Sequence, residues 1–313
     1  MHRILVTRKL PASVIAKLEA IGDIDLYSGE GAMPAEELRA RAADAHAIVS
    51  MLTEQIDTRL LDAAPKLKVV SNVAVGYNNI DVPSARARGV IVTNTPDVLT
   101  DSVADFTWAL ILAITRRLSE GERAVRSGAW KGWAFDYMLG TELRGKQLGL
   151  IGLGRIAKAV AARAAAFGVN VAYTSRSATL ENAEKLSLDR LLVTSDIVSI
   201  HVPLTPETRH LIDKKAIARM KRSAYLINTS RGPVIDEAAL AWALEHRLLA
   251  GAALDVYEQE PIVHPGLLGL DNVLLIPHLG SGTTETRTAM ADLAAENVVA
   301  VLSGRPPLTP IPV

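Results

Sequence analysis

The sequence predicts an α/β protein built as two doubly wound parallel-sheet domains, and three observations carry that prediction. Short apolar runs of strand length alternate with helical stretches almost from end to end. A chain of 313 residues, 49% hydrophobic and 22% charged, is long and apolar enough for two buried cores. The alternation also falls into two series with a long helical pattern between them.

In the first series, strands are expected at Ile4–Thr7, Ile24–Tyr27, Ala47–Met51, Leu67–Val73 and Val90–Thr93. Pro11–Ile21 reads as a helix, with Pro11 suited to a first helical position and Gly22 to a stop. Val98–Leu118 repeats apolar residues at helical spacing and reads as one long helix crossing from one domain to the other. Trp130, Trp133, Phe135 and Tyr137 follow in a loop-like stretch. The second series, Gln147–Ile151, Val169–Thr174, Ile197–His201, Ala224–Asn228, Gly251–Val256 and Val273–Ile276, makes a separate six-strand sheet. Thr284–Leu302 reads as an amphipathic helix that returns to the first domain, and its prolines extend the tail PPLTPIPV. The expected layout is nested: residues 1–96 and 284–313 in one domain, 97–283 in the other.

Lys+Arg 34 balance Asp+Glu 34, so nothing in the overall charge favours nucleic acid or an anionic membrane. The absence of cysteine excludes disulfides, thiolate metal sites and a Cys nucleophile, and fits a reducing, cytoplasmic setting. The apolar run Ile4–Val6 is too short for a signal segment, and no stretch reaches the ~18 apolar residues of a membrane span.

Gln147–Ala157 reads QLGLIGLGRIA, so Gly152-x-Gly154-x-x-Ala157 follows an apolar strand and opens the helix Arg155–Phe167. Gly152 permits a tight turn, Gly154 lets a pyrophosphate approach the backbone, and Ala157 allows close helix–sheet packing. The helix N-terminus offers N–H groups to the anion. An acidic residue about 20 residues on would receive the ribose 2′-OH. That position holds Ser175, Arg176 and Ser177 instead. A guanidinium flanked by two hydroxyls suits a 2′-phosphate, which a carboxylate would repel, so NADP(H) is expected to be preferred over NAD(H).

Open α/β sheets bind ligands beyond the carboxyl ends of their strands. Beyond three strands of the second series stand Arg231, then Glu260, then His278, with Asp255 at the end of the second of these strands. Arg231 can hold a carboxylate by two parallel charge-assisted hydrogen bonds. Histidine ordinarily titrates near neutrality, so His278 can exchange a proton with a carbonyl oxygen as hydride is transferred. A carboxylate such as Glu260 beside the ring fixes its tautomer, and Asp255 could accept from a nicotinamide amide. The histidines at 2, 46, 201, 210, 246 and 264 show no metal-ligand spacing, so no metal is assigned.

With these residues in place, nearly the whole chain resembles the D-isomer-specific 2-hydroxyacid dehydrogenases, and among them the glyoxylate/hydroxypyruvate reductases. The carriers are MLTEQID (51–57), NVAVGYNNID (72–81), VTNTPDVLTDSVAD (92–105), GLGRIA (152–157), NTSRGPVID (228–236), ALDVYEQEP (253–261) and PHLGSGT (277–283). The resemblance implies a flavodoxin-like substrate domain and a Rossmann cofactor domain. It implies that Arg231 binds the substrate carboxylate and polarises the carbonyl, that Glu260 pairs with His278, and that His278 is the acid/base. It also implies backbone donors at Val75 and Gly76, a pocket wall at Leu52, and a homodimer through about 98–145.

The candidate cofactor positions are Gly152, Leu153, Gly154, Arg155, Ile156, Ser175, Arg176, Ser177, Val202, Pro203, Thr208, Thr229, Ser230, Asp255 and Gly280. The candidate substrate positions are Leu52, Val75, Gly76, Arg231, His278 and Ser281. Formate dehydrogenases pair the histidine with glutamine where this chain has Glu260, and phosphite dehydrogenase carries lysine where Val75 stands. The expected partner is a small 2-oxo or 2-hydroxy acid, glyoxylate or hydroxypyruvate. Larger 2-oxo acids such as phenylpyruvate, 2-ketogluconate or pyruvate are the alternative, and an NAD(H)-sensing corepressor is the rival outside enzymology.

Overall fold

A computed structural model describes residues 1–311. The chain divides into two compact units, Met1–Leu99 with the segment from Thr283, and Thr100–Gly282.

The first unit alternates β1 (His2–Val6), α1 (Ala12–Glu19), β2 (Gly22–Leu26), α2 (Ala35–Ala42), β3 (Ala47–Ser50), α3 (Thr58–Ala63), β4 (Val69–Asn72), α4 (Val82–Ala87) and β5 (Ile91–Thr93). Its strands are all parallel in the order β2-β1-β3-β4-β5, the flavodoxin-like arrangement, with the order reversing between β1 and β3. Alternate side chains feed two cores. Leu5, Ile48 and Val70 pack on one face; Ile4, Val6, Val49 and Val69 pack on the other.

The second unit contains α5 (Thr100–Thr115), α6 (Leu118–Arg126), β6 (Gln147–Ile151), α7 (Arg155–Ala164), β7 (Asn170–Thr174), β8 (Glu184–Lys185), α8 (Leu188–Thr194), β9 (Ile197–Ile200), α9 (Lys214–Arg219), β10 (Tyr225–Asn228), α10 (Glu237–Glu245), β11 (Gly251–Leu254), α11 (Pro265–Leu268) and β12 (Val273–Leu275). The parallel order is β12-β11-β10-β9-β6-β7-β8, a Rossmann sheet whose switch point lies between β6 and β9. Leu226 and Leu254 fill one face and Ile227, Leu150 and Trp108 the other. α12 (Thr284–Leu302) belongs to the first unit, where Ala291, Ala294, Ala295 and Val298 pack with the strands and Ser71 Oγ donates to the Ala294 carbonyl at 2.9 Å.

Four details correct the sequence expectations. The second sheet has seven strands, not six, because the exposed pair Glu184–Lys185 adds an edge strand too short and polar to carry a pattern. The expected helix Val98–Leu118 breaks at Arg117, whose φ of 54° is left-handed, and α5 lies wholly in the second unit. Helix Arg155–Phe167 finishes as a 3-10 turn over Ala165–Phe167. Pro11 caps α1 from outside, and Gly22 opens β2 rather than sitting in a loop before it. Among the described residues no helix is long and apolar enough to cross a membrane.

The turn from β6 into α7 depends on Gly152. Its φ is +90°, and a Cβ there would lie 2.6 Å from the His201 carbonyl oxygen. Left-handed backbone costs an L residue roughly 1–2 kcal/mol, and overpacking against backbone adds about 1–3 kcal/mol. Gly152→Ala is therefore expected to lower unfolding stability by about 2–5 kcal/mol, read by thermal or denaturant unfolding.

Candidate active site

The glycine motif divides its labour. Gly152 is pressed against the chain beyond β9, whereas a Cβ on Gly154 would meet nothing within 4 Å, so that side of the turn is open to a ligand. Gly154 is the N-cap of the ten-residue α7, whose first N–H groups lack intrahelical acceptors. Leu153 is buried beneath the turn, and Ala157 is fully buried, as close helix–sheet packing requires. Beyond β9, Thr208 Oγ1 donates to the Pro203 carbonyl at 2.7 Å and accepts the Thr205 N–H at 2.8 Å, which tightens the segment that follows Val202. Burial draws His201 down to about 4.

Beyond β7, Ser175 Oγ accepts the Ala178 N–H at 3.1 Å and so shapes the turn itself. Arg176 and Ser177 are exposed. The Thr205 hydroxyl lowers the Glu207 carboxyl, and the charge of Arg176 adds to the effect, so Arg176 and Glu207 share one neighbourhood.

Beyond β10, Asn228 is a fully buried organiser. Its Oδ1 accepts the Ser230 N–H at 3.0 Å and hydroxyl at 2.8 Å, and its Nδ2 donates to the Arg231 carbonyl at 3.0 Å. Thr229 Oγ1 lies 3.1 Å from Thr107 Oγ1 of α5. Arg231 Nη1 donates to the Ser230 carbonyl at 2.7 Å. Burial pulls the Arg231 guanidinium below its ordinary range and the charge of Glu260 works the other way, but arginine remains a cation at ordinary pH. The next residue, Gly232, is packed so tightly that a Cβ would sit 1.8 Å from the Tyr257 carbonyl carbon. Only glycine lets the turn bearing Arg231 lie against the turn bearing Glu260.

Glu260 accepts the Tyr257 N–H through Oε1 at 3.1 Å, and its Oε2 lies 2.8 Å from His278 Nδ1. Burial opposes its charge, but the hydrogen bond and charge of His278, the Tyr257 amide and Arg231 outweigh burial and hold the carboxyl below the usual range. With Nδ1 committed to the carboxylate, Nε2 is the nitrogen of His278 able to exchange a proton with a ligand.

His278 has φ 52°, a conformation costly for a non-glycine residue. Asp255 holds it there. The Asp255 carbonyl accepts the His278 N–H at 2.9 Å, Oδ1 accepts the Leu279 N–H at 2.6 Å, and Oδ2 accepts the Gly280 N–H at 2.8 Å. Asp255 is 1% exposed, and burial raises its carboxyl against the lowering effect of those two amides. Both oxygens thus serve the loop, a task the sequence reading missed. Ser102 Oγ donates to the Gly280 carbonyl at 3.1 Å, and Ser281 follows half-buried.

In the first unit, Leu52 follows β3 and Val75 and Gly76 follow β4, all half-buried. Glu54, also missed, is 1% exposed and accepts from the Met51 N–H, the Thr7 hydroxyl and the Thr53 hydroxyl, each at 2.8 Å, fixing the turn that carries Leu52. Among the described residues no group of three or more acidic or histidine side chains could hold a metal ion.

Residues 108–280 match the family model described as D-isomer specific 2-hydroxyacid dehydrogenase, NAD binding domain. Over 97% of its length the chain is 47% identical to the glyoxylate reductase of Thermofilum pendens, covering 93% of that protein. A solved structure from Thermus thermophilus superposes with a TM-score of 0.95 at 43% identity, covering 99% of this chain and 100% of that one. The NADPH-dependent glyoxylate/hydroxypyruvate reductase of Sinorhizobium meliloti, solved with NADP and malonate, gives a TM-score of 0.90 at 38% identity, covering 99% of this chain and 96% of that one. The chain is therefore a member of the D-isomer specific 2-hydroxyacid dehydrogenase family, an NAD(P)-dependent oxidoreductase.

Proposed function

We propose that this chain is a reductase of glyoxylate and hydroxypyruvate that prefers NADPH to NADH. The observation that carries the reading is the placement of Arg231, Glu260 and His278 beyond the adjacent strands β10, β11 and β12, with the His278–Glu260 contact at 2.8 Å. The relatives named for these substrates support the substrate class.

The turn Gly152–Ile156, with Val202, Pro203 and Thr208, would hold the dinucleotide, which when bound supplies the hydride. Arg231 pairs with the substrate carboxylate and draws electron density from the adjacent carbonyl. The N–H groups of Val75 and Gly76 are further donors to that carboxylate, and Leu52 limits the bulk of the substrate. His278 Nε2 gives its proton to the carbonyl oxygen as that oxygen becomes an alcohol. Glu260, in contact with Nδ1, keeps the ring in one orientation and tautomer. Loss of His278, as in His278→Ala, is expected to lower kcat by about 10²–10⁴-fold. Arg231→Ala should raise the KM for glyoxylate by about a hundredfold and also slow turnover. Near-normal kcat/KM in either variant contradicts the assignment.

Cofactor choice rests on Arg176, because the β7 turn that carries it, Ser175–Ser177, holds no carboxylate to receive a ribose hydroxyl. NADPH and NADH oxidation, each measured with glyoxylate, hydroxypyruvate and pyruvate, tests the substrate and cofactor readings together. In Arg176→Ala the KM for NADPH should rise about tenfold or more, while that for NADH stays within about twofold. A wild-type preference for NADH would end the cofactor reading.

We also propose a homodimer. Trp133 and Phe135 are each 84% exposed, and Leu118 and Val125 of α6 are exposed too, so this segment does not cover its own chain. Several large apolar side chains exposed on one segment suit a protein interface. Sedimentation should give twice the chain mass for the wild type and a shift toward monomer for the double variant Trp133→Ser, Phe135→Ser.

A further inference from the structure

Three successive carbonyls in the turn after β4 are each tied down. That of Ala74 accepts the Thr95 N–H at 2.9 Å, that of Val75 accepts Asn94 Nδ2 at 2.7 Å, and that of Gly76 accepts Asn72 Nδ2 at 3.0 Å. In a planar trans peptide the N–H points opposite to the carbonyl of the same unit. Fixing these three oxygens therefore also fixes the N–H groups of Val75, Gly76 and Tyr77, each directed away from the group that anchors its peptide. None of the three N–H groups has an acceptor among the described residues, although the preceding Ala74 N–H donates to the Asn72 carbonyl at 2.8 Å.

The anchors are themselves held. Asn72 is fully buried; its Oδ1 accepts Ser50 Oγ at 3.2 Å and its Nδ2 also reaches Asn79 Oδ1 at 3.3 Å. Asn79 Nδ2 donates to the carbonyls of Met51 at 3.1 Å and Glu54 at 2.9 Å, joining the β3 and β4 turns. The backbone of Asn94 is clasped by Thr309, whose Oγ1 donates to its carbonyl at 2.6 Å. The side chain of Asn94 is thus left with the single task of holding Val75.

We propose that Asn94 and Asn72 are positioning residues that turn the N–H groups of Val75, Gly76 and Tyr77 into a three-donor cradle for the carboxylate of the 2-oxo acid, Tyr77 adding a donor beyond the two already assigned. The inference rests on the reductase reading above. Hydrogen bonds to a charged acceptor are about twice as strong as neutral ones but weaken steeply as the donor tilts. Orientation is what the two asparagines supply, and Asn94 does so without belonging to the buried core.

The test is steady-state kinetics of the full-length Asn94→Ala and the nearly isosteric Asn94→Asp. Asn94→Ala should raise the KM for glyoxylate about five- to tenfold, with kcat and the KM for NADPH within about twofold of wild type and an unchanged Tm. Asn94→Asp should raise it further, because a carboxylate would replace the donor that holds the Val75 carbonyl with a group that repels it. An unchanged glyoxylate KM in both variants, or KM values for glyoxylate and NADPH that rise together, overturns the positioning role. A wild-type enzyme that reduces no 2-oxo acid would overturn the reductase reading and this inference with it; in an active wild type, failure touches Asn94 alone.

Discussion

A carboxylate buried at the end of β11 sets the geometry on which the rest of the second unit's site depends. Asp255 receives the N–H groups of Leu279 and Gly280 and so holds His278 at a left-handed φ. That conformation costs of order 1–3 kcal/mol, while each hydrogen bond to a charged group contributes about 1.5–3 kcal/mol. The two bonds therefore outweigh the strain. The dependence runs both ways, since an unpaired carboxylate at this depth would cost more than the strain it offsets. His278 is aimed by its neighbour on the next strand, and Glu260 then settles which ring nitrogen is free.

The first unit solves a similar problem with neutral amides and one buried acid. In the proposed site its β3 and β4 turns would supply backbone donors and a pocket-wall residue rather than a titrating group, so the requirement is a fixed main chain. Asn72, Asn79 and Glu54 provide it by capping carbonyls and N–H groups that no strand partner reaches. In both units the polar side chains stand at the carboxyl ends of parallel strands, where the ladder stops and backbone groups need other partners. The chemistry-bearing turns are therefore also the places where the fold has hydrogen bonds left to satisfy.

Strand and helix order was legible because every strand is short, apolar and bounded by turn residues, and the glycine motif marked β6 and α7 by backbone necessity. Arg231, Glu260 and His278 were legible as residues that follow strands of one sheet. What pattern could not carry were features without periodicity: the two-residue strand Glu184–Lys185 and the break at Arg117. Nor did it show contacts between segments far apart in sequence. Nothing local in NTSRGPVID says that Gly232 must face the Tyr257 carbonyl, or in ALDVYEQEP that Asp255 reaches Gly280. Asn228 and Asn72 did leave a signal, a polar residue at the apolar end of a strand, which is costly unless it has partners to hold.

The cofactor proposal follows the same logic at the surface, where it yields a different kind of selectivity. Arg176 is exposed and shares its neighbourhood with Glu207, so a 2′-phosphate would compete with a carboxylate for the guanidinium and with solvent for both. Ser175 Oγ accepts the Ala178 N–H and keeps its own O–H for donation, beside the exposed Ser177. A site so arranged discriminates by a modest factor that salt weakens, on the order of ten to a hundredfold, rather than by the near-absolute exclusion that a buried carboxylate against the ribose would impose on a phosphate. On the proposed reading, preference for NADPH comes with residual use of NADH and falls further as ionic strength rises.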